Sequence, residues 1–332
     1  MRRREFSIGL GGTMIAWPFS VRTQESRPLL AILSPARRGD VAHLKNINGP
    51  LKDALAKLGW VPARTIDIVE RFADRDVSRL PELAAELVAL RPRVLFTNTS
   101  RAATVAANVT RTIPIVVGPA GEITLTALAG GSIVRPTSNV TGFVLTGPQT
   151  DDKVVSLLME TAPSATRIGV LVNPNSPEYE QYPAALKDSR SVAGKTLIRI
   201  DSRGRADIDA ALTKVATERI DALFISDDSH TAGDPEVRRR VLKFAAKERL
   251  PISSSHQDFA RDGALIAMGP SIPALAAAAA GYVDKILKGA TPGELPVQLP
   301  TVYTVIVNLK TAKALGFNVP STILHRADEV IE

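Results

Sequence analysis

From Pro28 onward, short β-branched runs alternate with segments whose apolar residues recur every three or four positions. That alternation predicts parallel α/β structure. Strands covered on both faces read as continuous apolar runs, and the helices that cover them carry one apolar stripe. Residues 29–33 read as a first strand ending at Ser34-Pro35, followed by a helix over about 42–58 that Gly59 stops. Residues 66–70 form a second strand. Leu80, Leu83, Ala84, Leu87 and Val88 make an amphipathic stripe within 76–90, and 94–97 and 113–117 read as further strands.

The pattern then restarts. A strand over 167–172 ends at Asn173-Pro174, and further strands are expected at 197–200, 222–226, 251–253 and 264–268 with helices between them. A long helix runs to Lys288 and stops at Gly289. A late strand covers 302–307, and a short helix over 309–315 ends at Gly316. Two consecutive α/β halves with one more helix and strand predict a bilobal clamshell of two Rossmann-like lobes. Crossovers are expected near 139–145, 268–271 and 296–303. The lobes would then be 27–141 plus 270–297, and 142–269 plus 298–332. Two independent α/β domains in series remain the alternative.

Residues 1–23 depart from this pattern. They read as an address, a basic start followed by a moderately apolar stretch over 8–19 that is too short to span a membrane. Arg3-Arg4-Glu5-Phe6 resembles the twin-arginine export signature, and Gly9, Gly11 and Gly12 suit that weakly hydrophobic route. Val21-Arg22-Thr23 is the best cleavage candidate, in a degenerate pattern. An ordinary first helix of a cytoplasmic protein is the competing reading. Export would make the protein periplasmic.

Composition narrows the classes. The chain of 332 residues is 45% hydrophobic and 23% charged, ordinary for a globular protein with two domains. Nothing after the N-terminus approaches the roughly 18 unbroken apolar residues of a membrane span, so no membrane insertion of the mature chain is expected. The formal charge of +7 falls to +4 without the first 23 residues, which carry Arg2, Arg3, Arg4, Arg22 and Glu5. No dense basic cluster with interleaved aromatics remains, so no nucleic acid partner is expected. Cysteine is absent, which excludes disulfides, thiol chemistry and a lipid-anchoring cysteine. The four histidines, His43, His230, His256 and His325, are scattered without metal-ligand spacing. They read as surface or rim residues, although His256 follows a second-lobe strand. Neither metal nor cofactor is expected.

Several stretches then resemble one family, the ABC transporter substrate-binding proteins common in soil α-proteobacteria. They are Leu80-Pro-Glu-Leu-Ala-Ala-Glu-Leu-Val88, Asn139-Val-Thr-Gly-Phe143, Gly281-Tyr-Val-Asp-Lys-Ile-Leu-Lys-Gly289 and Val307-Asn-Leu-Lys-Thr-Ala-Lys-Ala-Leu-Gly316. The closing Arg326-Ala-Asp-Glu-Val-Ile-Glu332 and the start with Ala16-Trp17-Pro18 add to the likeness. The resemblance implies a type I periplasmic-binding fold, a small-molecule ligand such as an amino acid or an aromatic or other organic acid, and an ABC permease with its ATPase as partners. A monomer is expected. Relatives usually carry aspartate where this chain has Pro119 and tyrosine where it has Met268.

Ligands of open α/β sheets sit beyond the carboxyl ends of the strands, which makes strand ends the candidates. Ser34 follows the first strand. Asn98, Thr99 and Ser100 follow the third and open a helix whose free N–H groups suit a carboxylate, with plain capping as the alternative. Pro119 follows the fourth. In the second half, Asn173 ends a strand, Asp227 and Asp228 end another and suit an ammonium or hydroxyls, and Met268 offers an apolar contact.

Other classes fare worse. There is no G-x-S-x-G elbow, P-loop or dinucleotide fingerprint after a strand, so no enzyme is expected. A repressor of this fold would carry a helix-turn-helix before the first strand, where only the signal-like segment stands. A ligand-sensing subunit for a kinase or chemoreceptor uses the same clamshell, and the residues do not separate it from uptake.

Overall fold

In the first half, β-branched and leucine-rich runs pair side by side as parallel strands because helices are available to cover both faces. The structure is a computed structural model that describes residues 27–332 apart from 178–185, 187–189 and 229. The export signal expected over 1–23 lies outside the described residues. Strands β1 (Leu29–Ser34), β2 (Asp67–Phe72), β3 (Val94–Thr97), β4 (Ile115–Ala120) and β5 (Val140–Val144) form one sheet in the order β2-β1-β3-β4-β5. Strand β1 shows why the run is continuous. Leu30 and Ile32 enter the core on one face, and Ala31 and Leu33 the core on the other.

The second sheet has the order β12-β11-β10-β9-β8-β6-β7. It is built from β6 (Arg167–Val172), β7 (Thr196–Asp201), β8 (Ala222–Ile225), β9 (Ile252–Ser254), β10 (Ile266–Gly269), β11 (Thr304–Asn308) and β12 (Glu329–Ile331). All neighbours are parallel except β10 and β11. Each sheet has a switch point, between β1 and β3 in one and between β6 and β8 in the other, and crevices open at such points.

The chain passes between the sheets three times. After β5 it enters helix Pro148–Thr161, which packs in the core of the second sheet through Val154, Val155 and Leu158. After β10 it returns in helix Ile272–Leu287, whose Ala276, Ala279, Ala280 and Val283 pack with Phe96 of the first sheet. It crosses again before β11. The last passage is tied to the first lobe, where the Val144 amide donates to the Gln298 carbonyl at 2.8 Å and the Tyr282 hydroxyl to the Pro296 carbonyl at 2.6 Å.

Two local differences from the sequence reading have physical reasons. The helix expected over 42–58 is divided into Val41–His43, a π-helical stretch Leu44–Asn48, and Gly49–Lys57. Pro50 lies in the first turn of the last piece, and a proline supplies no N–H to an unbroken α-helical ladder. Residues 140–144, read as part of a crossover, form the edge strand β5. Gly142 there approaches Val117 so closely that a Cβ would lie 2.2 Å from its carbonyl oxygen, so only glycine fits.

Candidate functional site

Loops at the carboxyl ends of both sheets enclose a cleft of about 300 Å³. From the first lobe come Pro35, Ala36, Asp40 and His43 after β1, and Arg75 after β2. Asn98, Thr99, Ser100 and Arg101 follow β3, and Pro119 and Gly121 end or follow β4. The second lobe contributes Asn173 after β6, Arg203 after β7, Asp227, Asp228 and His230 after β8, and His256 after β9.

The β3 end is built as a turn into helix Ser100–Val109. Thr99 caps that helix, its hydroxyl accepting from the Ala102 amide at 3.4 Å. Its φ is +75°, a region that costs a β-branched residue of order 1–3 kcal/mol and that clusters at binding sites. The Thr99 amide donates to the Pro119 carbonyl at 2.9 Å, and the Ser100 hydroxyl accepts from the Gly121 amide at 3.0 Å. These bonds lock the β3 and β4 ends together, with a cis peptide at Gly118-Pro119.

On the facing lobe, Asp228 organises the turn after β8. Its Oδ1 accepts from the Asn173 side-chain amide at 2.9 Å and from the His230 and Thr231 amides at 2.9 and 3.2 Å. Asp227 stands beside it on the cleft wall.

A chain of charges spans the cleft mouth. Arg75 donates to Asp40 Oδ2 at 2.6 Å within its own lobe and pairs with Asp234 of the other. Asp234 is 4% exposed at its side chain, caps helix Pro235–Glu248 through the Glu236 and Val237 amides, and takes both a 2.8 Å and a 3.0 Å bond from Arg205. Burial alone would raise the Asp234 carboxyl. The hydrogen bonds from Arg205 and the charge of Arg75 outweigh it and hold the group below the usual carboxylate range. Asp40 is likewise held low, its burial offset by Arg75 and by the His43 and Ala42 amides. Arg75 itself has φ +70°, and its amide donates to the Pro35 carbonyl at 2.9 Å, which fixes where the side chain starts.

His43 stands inside the first lobe's wall, 3.0 Å from the Ser34 hydroxyl through Nε2 and edge-on to Phe72. Burial lowers its pKa, against the opposing charge of Asp40.

Of the residues expected from sequence, Asn98, Thr99, Ser100, Pro119, Asn173, Asp227 and Asp228 line this one cleft. Two do not. Ser34 is fully buried behind His43, and its hydroxyl accepts from the Ala36 amide at 3.1 Å, so it supports the wall instead of forming it. Met268 pairs with Val305 across the antiparallel edge and packs with Phe224 and Leu265 in the second lobe's core. Asp40, Arg75 and Arg203 also line the cleft, as do His43 and His256, which read from sequence as surface or rim residues, His256 after a strand end. Asp40 carried one signal, as a capping residue before a helix; Arg75 and Arg203 carried none. Among the described residues no group of three or more His, Cys, Asp or Glu is placed to hold a metal. None of the described helices is long and apolar enough to cross a membrane.

Residues 40–331 match the family described as ABC transporter substrate binding protein. The tyrosine-binding protein of Clostridioides difficile (strain R20291) is 23% identical over 262 residues, covering 79% of this chain and 74% of that one. A conserved domain protein from Vibrio cholerae superposes with a TM-score of 0.82 at 23% identity, over 92% of this chain and all of its own. The ABC domain from Streptococcus pneumonia, solved in complex with L-Trp, has a TM-score of 0.80 at 22% identity, over 92% and 100% of the two chains. At these identities the structural likeness shows the fold, two parallel-sheet lobes in the type I periplasmic-binding arrangement.

Proposed function

The chain belongs to the ABC transporter substrate binding protein family, and from that premise we propose that its cleft captures an amino acid or a similar small organic acid outside the cytoplasm. The loaded protein delivers the solute to a membrane permease driven by a cytoplasmic ATPase. It acts as a monomer, and it carries out no covalent step.

One observation carries this reading. Anion-suited groups on the first lobe and acids on the second line the same cleft. The first turn of Ser100–Val109 brings the positive end of the helix dipole to the cleft wall, which suits a carboxylate. Asp227, on the opposite wall, suits an ammonium. A zwitterion would therefore touch both lobes, and a ligand that contacts both favours the closed form by its differential affinity for it. The Arg75–Asp234 pair favours the same closed arrangement without filling the cleft. Relatives named for tyrosine, or solved with L-Trp, support an amino acid as the ligand class.

Titration calorimetry of the twenty amino acids against wild type and Asp227→Ala tests the assignment. Binding by wild type that weakens at least about tenfold in the variant supports it, a charge-assisted contact being worth about 1.5–3 kcal/mol. Undiminished affinity in Asp227→Ala refutes the ammonium assignment.

A further inference from the structure

Asn98 and His256 face the cleft from opposite lobes, at the ends of β3 and β9. Both are 8% exposed. Among the described residues neither side chain has a hydrogen-bond partner, and His256 Nδ1 is a fully enclosed polar atom without one. The hydroxyls beside them along the chain are engaged. Thr97 donates to the Leu33 carbonyl at 2.9 Å, Ser254 to the Ile225 carbonyl at 3.0 Å, and Ser255 pairs with Asp151. A polar atom enclosed as His256 Nδ1 is stays unpaired only at a desolvation cost, and with the unbonded Asn98 carboxamide on the facing lobe it marks a place where a ligand completes the bonding.

The chemistry of the pair narrows the ligand. A carboxamide offers a donor and an acceptor, and so does a neutral imidazole. A carboxylate between them would satisfy donors only, and an ammonium acceptors only. A hydroxyl or carboxamide both donates and accepts, and satisfies both residues. Two of the cleft's arginines are already committed, Arg75 to Asp40 and Asp234, and Arg203 to Asp207 at 3.1 Å. Pro35, Ile47, Leu145 and Ile272 complete the cleft with aliphatic surface.

Resting on the reading of the cleft as an amino-acid site, we infer that Asn98 and His256 form a specificity pair that selects solutes whose side chain carries a hydroxyl or carboxamide group. His256 is the determining member from the second lobe.

Calorimetric titration with matched pairs tests this: threonine against valine, glutamine against methionine, tyrosine against phenylalanine. The polar member of at least one pair is expected to bind at least about tenfold tighter, since unpaired site groups reject the analogue lacking the hydrogen-bonding group. His256→Leu should reduce that preference to under about threefold. His256→Gln, which keeps a donor and an acceptor, should restore part of it. Equal or tighter binding of the apolar member in every pair overturns the inference while leaving the amino-acid reading intact. So does a preference that survives in His256→Leu. The preference of the unmodified protein decides the matter even if a variant fails to fold. If no amino acid binds at all, the reading beneath falls, and the inference with it.

Discussion

Arg75 and Asp234 pair across the cleft mouth, joining the loop after β2 in one lobe to the first turn of helix Pro235–Glu248 in the other. Both ends are fixed before they meet. Arg75 leaves a backbone at φ +70° whose amide is bonded to Pro35, and Asp234 is held by its own capping bonds and by Arg205. A contact between prepositioned groups loses little side-chain entropy, which distinguishes it from an ordinary surface ion pair.

Removing the bridge should favour the open form. Arg75→Met is expected to weaken ligand binding by roughly fivefold, about 1 kcal/mol, with lobe stability little changed. Wild-type affinity should also fall as salt is raised from 0.05 to 0.5 M, about the range over which exposed charges become screened, and less so in the variant. Calorimetry on both proteins at two salt concentrations reads this. Equal affinities and equal salt dependence would show that the pair does not contribute to closure.

The returning helix depends on a close approach. A Cβ on Gly118 would lie 2.8 Å from the Ala279 Cβ and 3.0 Å from Phe96 Cε2. Gly118→Ala should therefore cost about 1–3 kcal/mol by overpacking, seen as a lower urea midpoint at unchanged slope. Adding Ala279→Gly should recover part of that loss, beyond the sum of the single effects. Strict additivity would argue against this contact as the cause.

Stability should respond to pH through Asp40 and Asp234 in acid and through His43 nearer neutrality. Asp40 and Asp234 are held low in the folded protein, so their contribution is full at neutral pH and is lost only as pH falls below about 3.9, through their folded values. His43 also titrates lower when folded, mainly through burial. Below about pH 6.5 the unfolded chain takes up a proton there that the folded protein refuses, so stability falls as pH drops from that point toward the folded value. Urea unfolding at pH 7 and 5 should show a smaller loss in His43→Asn than in wild type. Identical losses would remove His43 as the source.

Much of this was legible in the chain. The runs 94–97, 167–172 and 309–315 coincide with β3, β6 and the helix Leu309–Leu315, because buried strands and capped helices announce themselves locally. Asn98, Thr99 and Ser100 were legible for the same reason, as residues at a strand end that opens a helix. Strand β5 was hidden because Val-Thr-Gly-Phe-Val is short and contains the glycine that its neighbour's backbone requires. Arg75 was hidden for a different reason. Nothing local marks it, and only the arrangement of both sheets brings the loop after β2 to the same cleft as the strand end that carries His256. Met268 was misplaced because its strand lies beside the antiparallel β11, whose side chains cover it.

The central claim, that this cleft captures a small solute between two lobes, is tested most directly by a thermal-shift screen of residues 27–332 against amino acids and organic acids. Wild type is compared with the double variant Asn98→Leu, Asp227→Ala, which alters one wall from each lobe. A ligand at 100 times its dissociation constant should stabilise wild type by about 2.7 kcal/mol, a clear rise in Tm, and should leave the double variant unshifted. A screen in which no solute shifts wild type, or in which both proteins shift equally, would contradict the claim.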